Sequence, residues 1–394
     1  QKIIKYSFEK LMKKIAIIGA GISGLFIANL FKQNQNYKIT IFEKKKTIEL
    51  GEGYGIQLST NSIKLLNEIG FNELSENDKF NPEKIDFYDI KEQKKICDLN
   101  ISEFNFENCK YTTLKRSKLV EFLKNRLDDD VIEYDHGIEK IEVRSQQIIL
   151  SSNKNQNLIY DYLIISDGVF SKGKSLVSSN MNEPMYNNCI AIRGNISKNS
   201  IDNINEKNIS LFMGSNFHYV IYPIDQITNT FNFIGILKYN LTLNELNNHS
   251  LFNDQGFMTN IKNNLNKKIS TNMLSNLNNI KCFPIFVSKD FYKPSKNIYL
   301  IGDAFFAFPP SFAQGASQSI ESASELFDSI TNNRDDFYNR RLTRVKMINN
   351  RSKLNQFAFH LSNPVTVYFR NMCLKILTKN NKFLENYLGK IYKN

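Results

Sequence analysis

The segment KKIAIIGAGISGLFIANLF, residues 13–31, constrains the fold of this chain more than any other. A short apolar strand pattern leads into the glycine spacing G-x-G-x-x-G, and an apolar helix pattern follows. Glycines at this spacing permit a tight turn, close approach of a diphosphate, and close packing of helix on strand. The helix N-terminus adds free N–H groups and partial positive charge. We therefore predict a Rossmann-like dinucleotide site that includes Gly19, Gly21, Ile22, Ser23 and Gly24.

A second strand pattern, residues 37–44, ends in Glu43 and Lys44. A carboxylate at Glu43 can accept hydrogen bonds from the ribose hydroxyls of a bound dinucleotide. This favours an adenosine with a free 2′-hydroxyl, as in FAD or NAD, and the motif does not distinguish the two. A glycine turn without a ligand is the alternative.

Two later strand patterns also end in an acid beside a glycine. One precedes Asp167-Gly168, and the other, NIYLI, precedes Gly302-Asp303. Together with the glycine-rich turn, they give three strand ends that carry loops of the kind that bind ligands. A buried loop with a good helix cap is the alternative for the last of them.

Two further segments are candidates for contact with a ligand. The loop at residues 49–58 has three alternating glycines, so its backbone can pass close to a bound group; a flexible surface loop is the alternative. Residues 114–127 predict an amphipathic helix with Arg116 in its first turn, where a salt-bridged surface residue is the alternative.

With these motifs in this order, residues 13–345 resemble the single-component flavoprotein aromatic hydroxylases, the para-hydroxybenzoate hydroxylase-like class. The resemblance implies one FAD, with NADH or NADPH as a transient co-substrate. It also implies hydroxylation by O2, through a flavin hydroperoxide, of a phenol, a hydroxybenzoate or a quinone precursor.

The same resemblance assigns roles to residues of this chain. The glycine-rich turn and Glu43 would hold the ADP half of FAD, and Arg116 would lie near the pyrophosphate or ribityl chain. Asp303 would bond to the ribityl chain, and Asp167-Gly168 would serve both FAD and NAD(P)H. Gly55 and Ile56 would lie near the flavin ring.

The loop after Asp303 is expected to shield the flavin. Phe305, Phe306, Phe308 and Phe312, around Pro309 and Pro310, would exclude water from the reaction, although such phenylalanines can also be ordinary core. The predicted helix that begins with Gly315, Ala316 and Ser317 would direct its positive end at the flavin ring. Phe305 and Phe306 stand where this class usually has a histidine, which favours a hydrophobic or prenylated substrate.

Residues 175–290 contain alternating strand patterns, as in an antiparallel sheet. In FHYVIYPI, His218 and Tyr222 fall on one face and form a candidate pair for deprotonating a phenol; a hydrogen-bonded sheet histidine is the alternative. Arg193 matches a position common in salicylate hydroxylase-like members and could hold a carboxylate. A surface charge is its alternative.

We therefore predict an α/β protein with a Rossmann-like FAD-binding domain, an inserted antiparallel β-sheet substrate domain and C-terminal helices. The expected bounds are 12–80, 105–175 and 290–345 for the FAD domain, 81–104 and 176–289 for the substrate domain, and 346–394 for the helices.

The composition of the chain limits the kinds of partner that it is expected to bind. The net charge is +12, but the lysines are spread along the chain without basic stripes, which argues against nucleic acid. Five cysteines and four histidines are scattered, which argues against structural zinc and disulfides and favours a cytoplasmic location. The basic C-terminal helices fit domain capping or a homodimer contact, with peripheral membrane contact as the alternative. Residues 1–11 lack the features of a signal peptide and are set aside.

Other functions remain open at this point. An FAD-dependent reductase or dehydrogenase, a non-catalytic flavin redox sensor and an NAD-dependent dehydrogenase all share the first motif. A flavin-dependent halogenase is disfavoured because the chain has no tryptophan.

Overall fold

The computed structural model describes residues 12–51, 53–178, 182–201, 204–248, 250–269 and 271–393, so residues 1–11 lie outside it. The strands are β1 Lys13–Ile18, β2 Tyr37–Glu43, β3 Gly55–Leu58, β4 Lys84–Asp89, β5 Lys95–Asn100, β6 Thr112–Lys115, β7 Ile132–Tyr134, β8 Ile138–Arg144, β9 Gln147–Ser152, β10 Leu158–Tyr160, β11 Tyr162–Ile165, β12 Met185–Ser197, β13 Ile209–Gly214, β14 Phe217–Asp225, β15 Thr230–Lys238, β16 Asn278–Val287 and β17 Ile298–Leu300. The helices are α1 Ile22–Lys32, α2 Thr60–Asn67, α3 Arg116–Asn125, α4 Lys172–Val177, α5 Leu243–Asn247, α6 Gln255–Asn266, α7 Thr271–Ser275, α8 Gly315–Thr331, α9 Phe337–Phe359, α10 Pro364–Leu377, α11 Asn381–Leu384 and α12 Lys390–Tyr392, with a π-helical turn at Glu385–Gly389.

The glycine-rich turn belongs to a five-stranded parallel sheet in the order β17-β11-β1-β2-β7. Its central strands are continuous apolar runs because they are covered by α1 and by a separate three-stranded antiparallel sheet of order β10-β9-β8. Ile15 and Ile17 in β1 and Leu163 in β11 are fully buried. Because all five strands point the same way, the residues that follow β1, β2, β11 and β17 gather at one edge of the sheet.

A second sheet of seven strands has the order β16-β12-β15-β14-β13-β4-β5. Its pairings are antiparallel except for β4 with β13, which is parallel, so the expected antiparallel sheet is in fact mixed. One face packs with α6 around Phe217, Tyr219 and Phe233. The other face packs against Phe312 and the C-terminal helices. The predicted α/β class, with its Rossmann-like sheet and C-terminal helices, is confirmed.

A buried polar network joins the C-terminal helices to α8. Glu321 accepts hydrogen bonds from Arg341 at 2.8 Å, Arg344 at 2.7 Å and Asn61 at 2.6 Å. Burial acts to raise the pKa of this carboxyl, but the two guanidinium groups hold it below its usual value. Arg344 also donates to the carbonyl oxygen of Ile391 at 3.0 Å, so the network fixes the end of the chain. Among the described residues, no helix is long and apolar enough to cross a membrane.

Candidate cofactor and substrate site

The glycine-rich turn is packed too closely to accept side chains at two positions. A Cβ on Gly24 would lie 2.1 Å from the carbonyl oxygen of Gly19, and Gly19 itself has a φ of +98°. Ser166, which follows the neighbouring strand β11, holds the turn in place. Its hydroxyl donates to the carbonyl oxygens of Ile18 and Gly19. Gly21, Ile22 and Ser23 complete the turn and open α1, as predicted from their spacing.

Glu43 ends β2 directly beside this turn. Its carboxylate accepts hydrogen bonds from the backbone N–H of Ala20 and of Lys45, both at 2.9 Å. It is half-buried, and Lys44 next to it is exposed. The carboxylate thus ties β2 to the glycine-rich turn while remaining accessible from solvent.

Asp167 follows β11 at the same edge. Its carboxylate accepts hydrogen bonds from the Ser171 hydroxyl and, at 2.9 Å, from the Gly173 N–H, so it orders the first turn of α4. Burial raises the pKa of this carboxyl, although these bonds and the charge of Lys44 act in the opposite direction. Gly168 has a φ of +88° and open space around the position of a Cβ.

Asp303 follows β17, and its carboxylate has no hydrogen-bond or ion-pair partner among the described residues. The side chain is accessible to solvent, yet the protein around it raises the pKa of its carboxyl to about 6. A group on the floor of a cleft has this combination of access and partial desolvation. Gly302 adopts a φ of +59°, and a Cβ there would meet the hydroxyl of Ser23 at 2.7 Å.

The N-terminus of α8 opens into the same cleft, which is lined by both Asp303 and Gly315. Gly315 is exposed, with nothing within 4 Å of the position of a Cβ, and Ala316 is half-buried. Ser317 is fully buried, and its hydroxyl accepts a hydrogen bond from the backbone N–H of Ser59 at 3.0 Å. Ser317 therefore joins α8 to α2, and Gly315 is the more accessible of the two.

The paired strands β3 and β6 bring Gly55 and Ile56 beside the start of α3. Gly55 pairs with Lys115, and the N–H of Arg116 donates to the carbonyl of Tyr54 at 2.8 Å. A Cβ on Gly55 would lie 2.8 Å from the ring of Tyr222. Close approach of the loop to the seven-stranded sheet therefore requires glycine at this position.

The Phe/Pro loop divides between core and cleft. Phe305 and Phe306 are buried in the core of the parallel sheet, where Phe306 stacks on Phe291 at 4.3 Å, and both also line the cleft. Phe308 is half-buried at the cleft, and Phe312 packs edge-on against Tyr387. Pro309 is buried between them.

Tyr222, Asn232 and Asn195 lie in one row across β14, β15 and β12, and Arg193 lies one step along on the same face. Asn232 accepts a hydrogen bond from the N–H of Gly55 at 2.7 Å. Among the described residues, the buried Asn232 Nδ2 and Asn195 Oδ1 have no hydrogen-bond partner. The half-buried guanidinium of Arg193 lies 5.8 Å from the centre of the Tyr54 ring.

His218 shares the face of Tyr222, but the structure does not bring the two side chains together. They lie four positions apart on β14, which corresponds to roughly 13 Å along the strand. His218 is only 2% exposed, and its Nδ1 lies 2.8 Å from Nε2 of His360. Burial and this neighbouring histidine lower the pKa of His218 well below its usual value. This environment suits a structural histidine better than the base predicted from the sequence.

Three polar residues around Tyr222 were not identified from the sequence: Gln57, Tyr111 and Asn232. The Tyr111 hydroxyl donates to Gln57 Oε1 at 2.8 Å, which links the residue before β6 to β3. The available signal was Asn232 itself, an amide between two phenylalanines in an apolar strand pattern. The role of Asn232 depends on its contact with the loop at Gly55, and the strand pattern does not predict that contact.

Comparison with known proteins agrees with this geometry. Residues 17–48 match a family described as an NAD(P)-binding Rossmann-like domain. The chain is also similar to 6-hydroxynicotinate 3-monooxygenase of Pseudomonas fluorescens, with 25% identity over 167 residues. That alignment covers 40% of this chain and 41% of the curated relative, less than half of its length.

Solved structures match the whole fold. HpxO of Klebsiella pneumoniae, complexed with FAD and uric acid, gives a TM-score of 0.81 at 16% identity and covers 97% of both chains. A salicylate hydroxylase substrate complex gives 0.78 at 15% identity, covering 98% of this chain and 96% of that one. The structure of 2,6-dihydroxypyridine-3-hydroxylase from Arthrobacter nicotinovorans gives a TM-score of 0.76 at 16% identity. The match covers 90% of this chain and 96% of that one. The chain therefore has the fold of the FAD-dependent aromatic hydroxylases, and the resemblance drawn from its motifs is confirmed at this level.

Proposed function

We propose that this chain is an FAD-dependent monooxygenase that uses NADH or NADPH and O2 to hydroxylate an activated aromatic ring. The observation that carries the proposal is the carboxylate of Asp303, which lacks a partner among the described residues. It lies in one cleft with Gly315, at the strand edge that also bears the glycine-rich turn. The match to HpxO, which was crystallised with FAD, supports the choice of cofactor.

The residues present fit FAD. The N-termini of α1 and α8 have no capping side chain and no acid in the first turn, so their N–H groups are available to a ligand. The N-terminus of α1 would hold the diphosphate, and the accessible Glu43 would hold the ribose. Asp303 would accept a hydrogen bond from the ribityl chain. Asp167 and Lys44 lie at the same edge, and they are proposed as further cofactor contacts together with Arg116 at the start of α3.

The seven-stranded sheet would bind the ring to be hydroxylated. Asn232 Nδ2 and Asn195 Oδ1 supply a buried donor and a buried acceptor, and Arg193 supplies a positive charge. Unsatisfied buried polar groups are costly, so a ligand that pairs with them gains specificity. This set favours a ring with an anionic or oxygen substituent over the prenylated substrate that the apolar loop suggested.

Bound FAD, once reduced by NAD(P)H, supplies the chemistry that transfers one oxygen atom from O2 to the ring. The chain would orient the ring and exclude water. Phe308 lines the cleft, and Pro309 and Phe312 follow it in the same loop. Burial raises the pKa of Tyr222 above its usual value, so its phenol remains protonated at neutral pH. Tyr222 therefore acts as a hydrogen-bond donor to a substrate oxygen in this proposal, in place of a base.

The test combines the purified protein with FAD, NADH or NADPH, and salicylate, hydroxybenzoates, hydroxypyridines or quinone precursors. We expect at least one ring to stimulate NAD(P)H oxidation and to gain one oxygen atom by mass spectrometry. NAD(P)H oxidation without oxygen transfer to any ring would contradict the proposal and favour the reductase. Bound flavin that never oxidises NAD(P)H would favour the redox sensor.

The substrate role of the sheet is tested by Arg193→Met and Tyr222→Phe. Each variant should raise KM for an oxygen-bearing ring by about tenfold or more, because each leaves a substrate group unpaired. FAD affinity should be unchanged in both variants. His218→Asn is the matched comparison on the same strand face, and it should leave KM within about twofold.

A further inference from the structure

The outer face of α10 is apolar and exposed. Its side chains Val365, Tyr368, Phe369, Met372 and Ile376 are between 41% and 67% exposed. Their spacing of i, i+3, i+4, i+7 and i+11 places them in one stripe along the helix. Single exposed hydrophobic residues are common on proteins, but a continuous stripe of large ones marks a surface that meets a partner.

The helix that carries this stripe is held in place from its other side. Asn363 caps it by accepting a hydrogen bond from the N–H of Val365 at 2.9 Å, and Pro364 occupies the first turn. Arg370 is buried, and its guanidinium donates to the carbonyl of Ala358 at the end of α9 at 3.4 Å. Leu374 packs against the core below. The stripe therefore faces outward on a helix of about 21 Å that is fixed to the protein.

The charge around the stripe is positive. Residues 337–384 contain ten lysines and arginines and no aspartate or glutamate, although Arg340, Arg341 and Arg344 are paired with acids outside this segment. Lys353, Lys375, Lys379 and Lys382 are exposed. Asp98 on β5 and Glu103 lie in a surface cleft with Lys375 and Lys379. Asp98 is already paired with Lys84 at 3.3 Å and Lys95 at 2.9 Å.

We propose that α10 docks the protein on the surface of a membrane that contains anionic lipids. An apolar stripe that ends beside exposed lysines, here Lys375, Lys379 and Lys382, is the arrangement that places a helix flat in the headgroup layer, with its apolar face toward the acyl chains. A second copy of the chain fits less well, because a twofold contact would set two acid-free, basic segments against each other. The inference does not depend on the proposed activity, since lipid contact is measured without substrate.

Cys373 provides a native probe beside the stripe. It is exposed, whereas Cys97 is half-buried and Cys109, Cys189 and Cys282 are buried. An environment-sensitive fluorophore on Cys373 should shift to the blue with phosphatidylcholine vesicles that contain about 30 mol% phosphatidylglycerol. Vesicles of phosphatidylcholine alone should give binding weaker by about tenfold or more.

Two variants of the unlabelled protein test the surface by cosedimentation with the same vesicles. Ile376→Glu should lower binding by about tenfold or more, because it removes apolar area and adds a charge of the wrong sign. Ile227→Glu makes the same change on a turn where the side chain is 72% exposed, and it should leave binding unchanged.

Three results would overturn the proposal. The wild-type protein fails to bind anionic vesicles, or Ile227→Glu weakens binding as much as Ile376→Glu does. In the third, sedimentation velocity finds a dimer that Ile376→Glu dissociates while no lipid binding occurs, which would assign the stripe to a second copy.

Discussion

At the scale of single residues, Gly24 and Asp303 carry the strongest constraints on the site. Gly24 is required by contact, because the space for a side chain is already filled by the Gly19 carbonyl. Asp303, in contrast, lacks a contact: its carboxylate lies in a cleft without a protein partner among the described residues. One residue makes the turn possible, and the other is costly to the protein until a ligand pairs with it.

Gly24→Ala should lower the free energy of unfolding by about 1–3 kcal/mol, because the new methyl group would overlap the Gly19 carbonyl. FAD affinity should fall with it, since the turn must shift. Thermal unfolding and flavin titration measure the two effects. Gly137→Ala is the control, since nothing lies within 4 Å of its Cβ position, and a loss of equal size there would contradict the account.

Asp303→Asn tests whether the carboxylate of Asp303 is desolvated in the cofactor-free protein. The pKa of this carboxyl is raised from 3.8 to about 6, so the folded state binds the proton more tightly than the unfolded chain. Stability of the cofactor-free protein should therefore fall as pH rises between about 4 and 6. The variant should lack this loss and exceed the wild type at pH 7 by on the order of 1 kcal/mol, after allowance for solvent access.

The same variant should bind FAD more weakly than the wild type, because the charged acceptor is lost. Unfolding curves at pH 4 and pH 7, with and without FAD, separate the two effects. Equal stability of wild type and variant at both pH values would show that the carboxylate is not desolvated.

At the scale of elements, α8 depends on the ion-pair network at its middle. Glu321 is buried against Arg341, which is fully buried, so loss of the carboxylate would remove the nearer of the two acids that pair with this buried charge and leave Glu325 at 3.2 Å. Glu321→Ala should lower the free energy of unfolding by about 3–5 kcal/mol. Chemical denaturation measures this change.

Glu73→Ala is the control for that substitution. Glu73 pairs with Arg126 at 3.4 Å on the surface, with its side chain 69% exposed. A surface pair of this kind is worth less than about 1 kcal/mol. Similar losses in the two variants would mean that the network around Glu321 is not desolvated.

The sequence was sufficient to predict elements whose residues interact locally. The strand, the three glycines and α1 form one contiguous unit, and Glu43 follows at the end of the next strand. The pattern could not predict that His218 meets His360, because 142 residues separate them and the contact forms only when α9 packs on the sheet. For the same reason the role of Asn232 was hidden, since it depends on a loop far away in the chain.

At the scale of the whole molecule, β3 contacts both the seven-stranded sheet and α8, whose N-terminus opens into the cleft that the proposal assigns to FAD. The parallel sheet contributes the strand ends, and the seven-stranded sheet contributes the polar row of Tyr222, Asn232 and Asn195. Gly55 lies between them, bonded to Asn232. A cofactor bound along the strand ends would therefore reach the polar row where a ring substrate could bind.

Titration of the purified protein with FAD and, separately, with NAD tests this account most directly. Binding is followed by flavin fluorescence and by calorimetry. The account predicts one FAD per chain, yellow protein, weaker binding in Gly24→Ala and Asp303→Asn, and unchanged binding in Gly137→Ala. A protein that does not bind FAD, or that remains colourless and binds NAD alone, would contradict it.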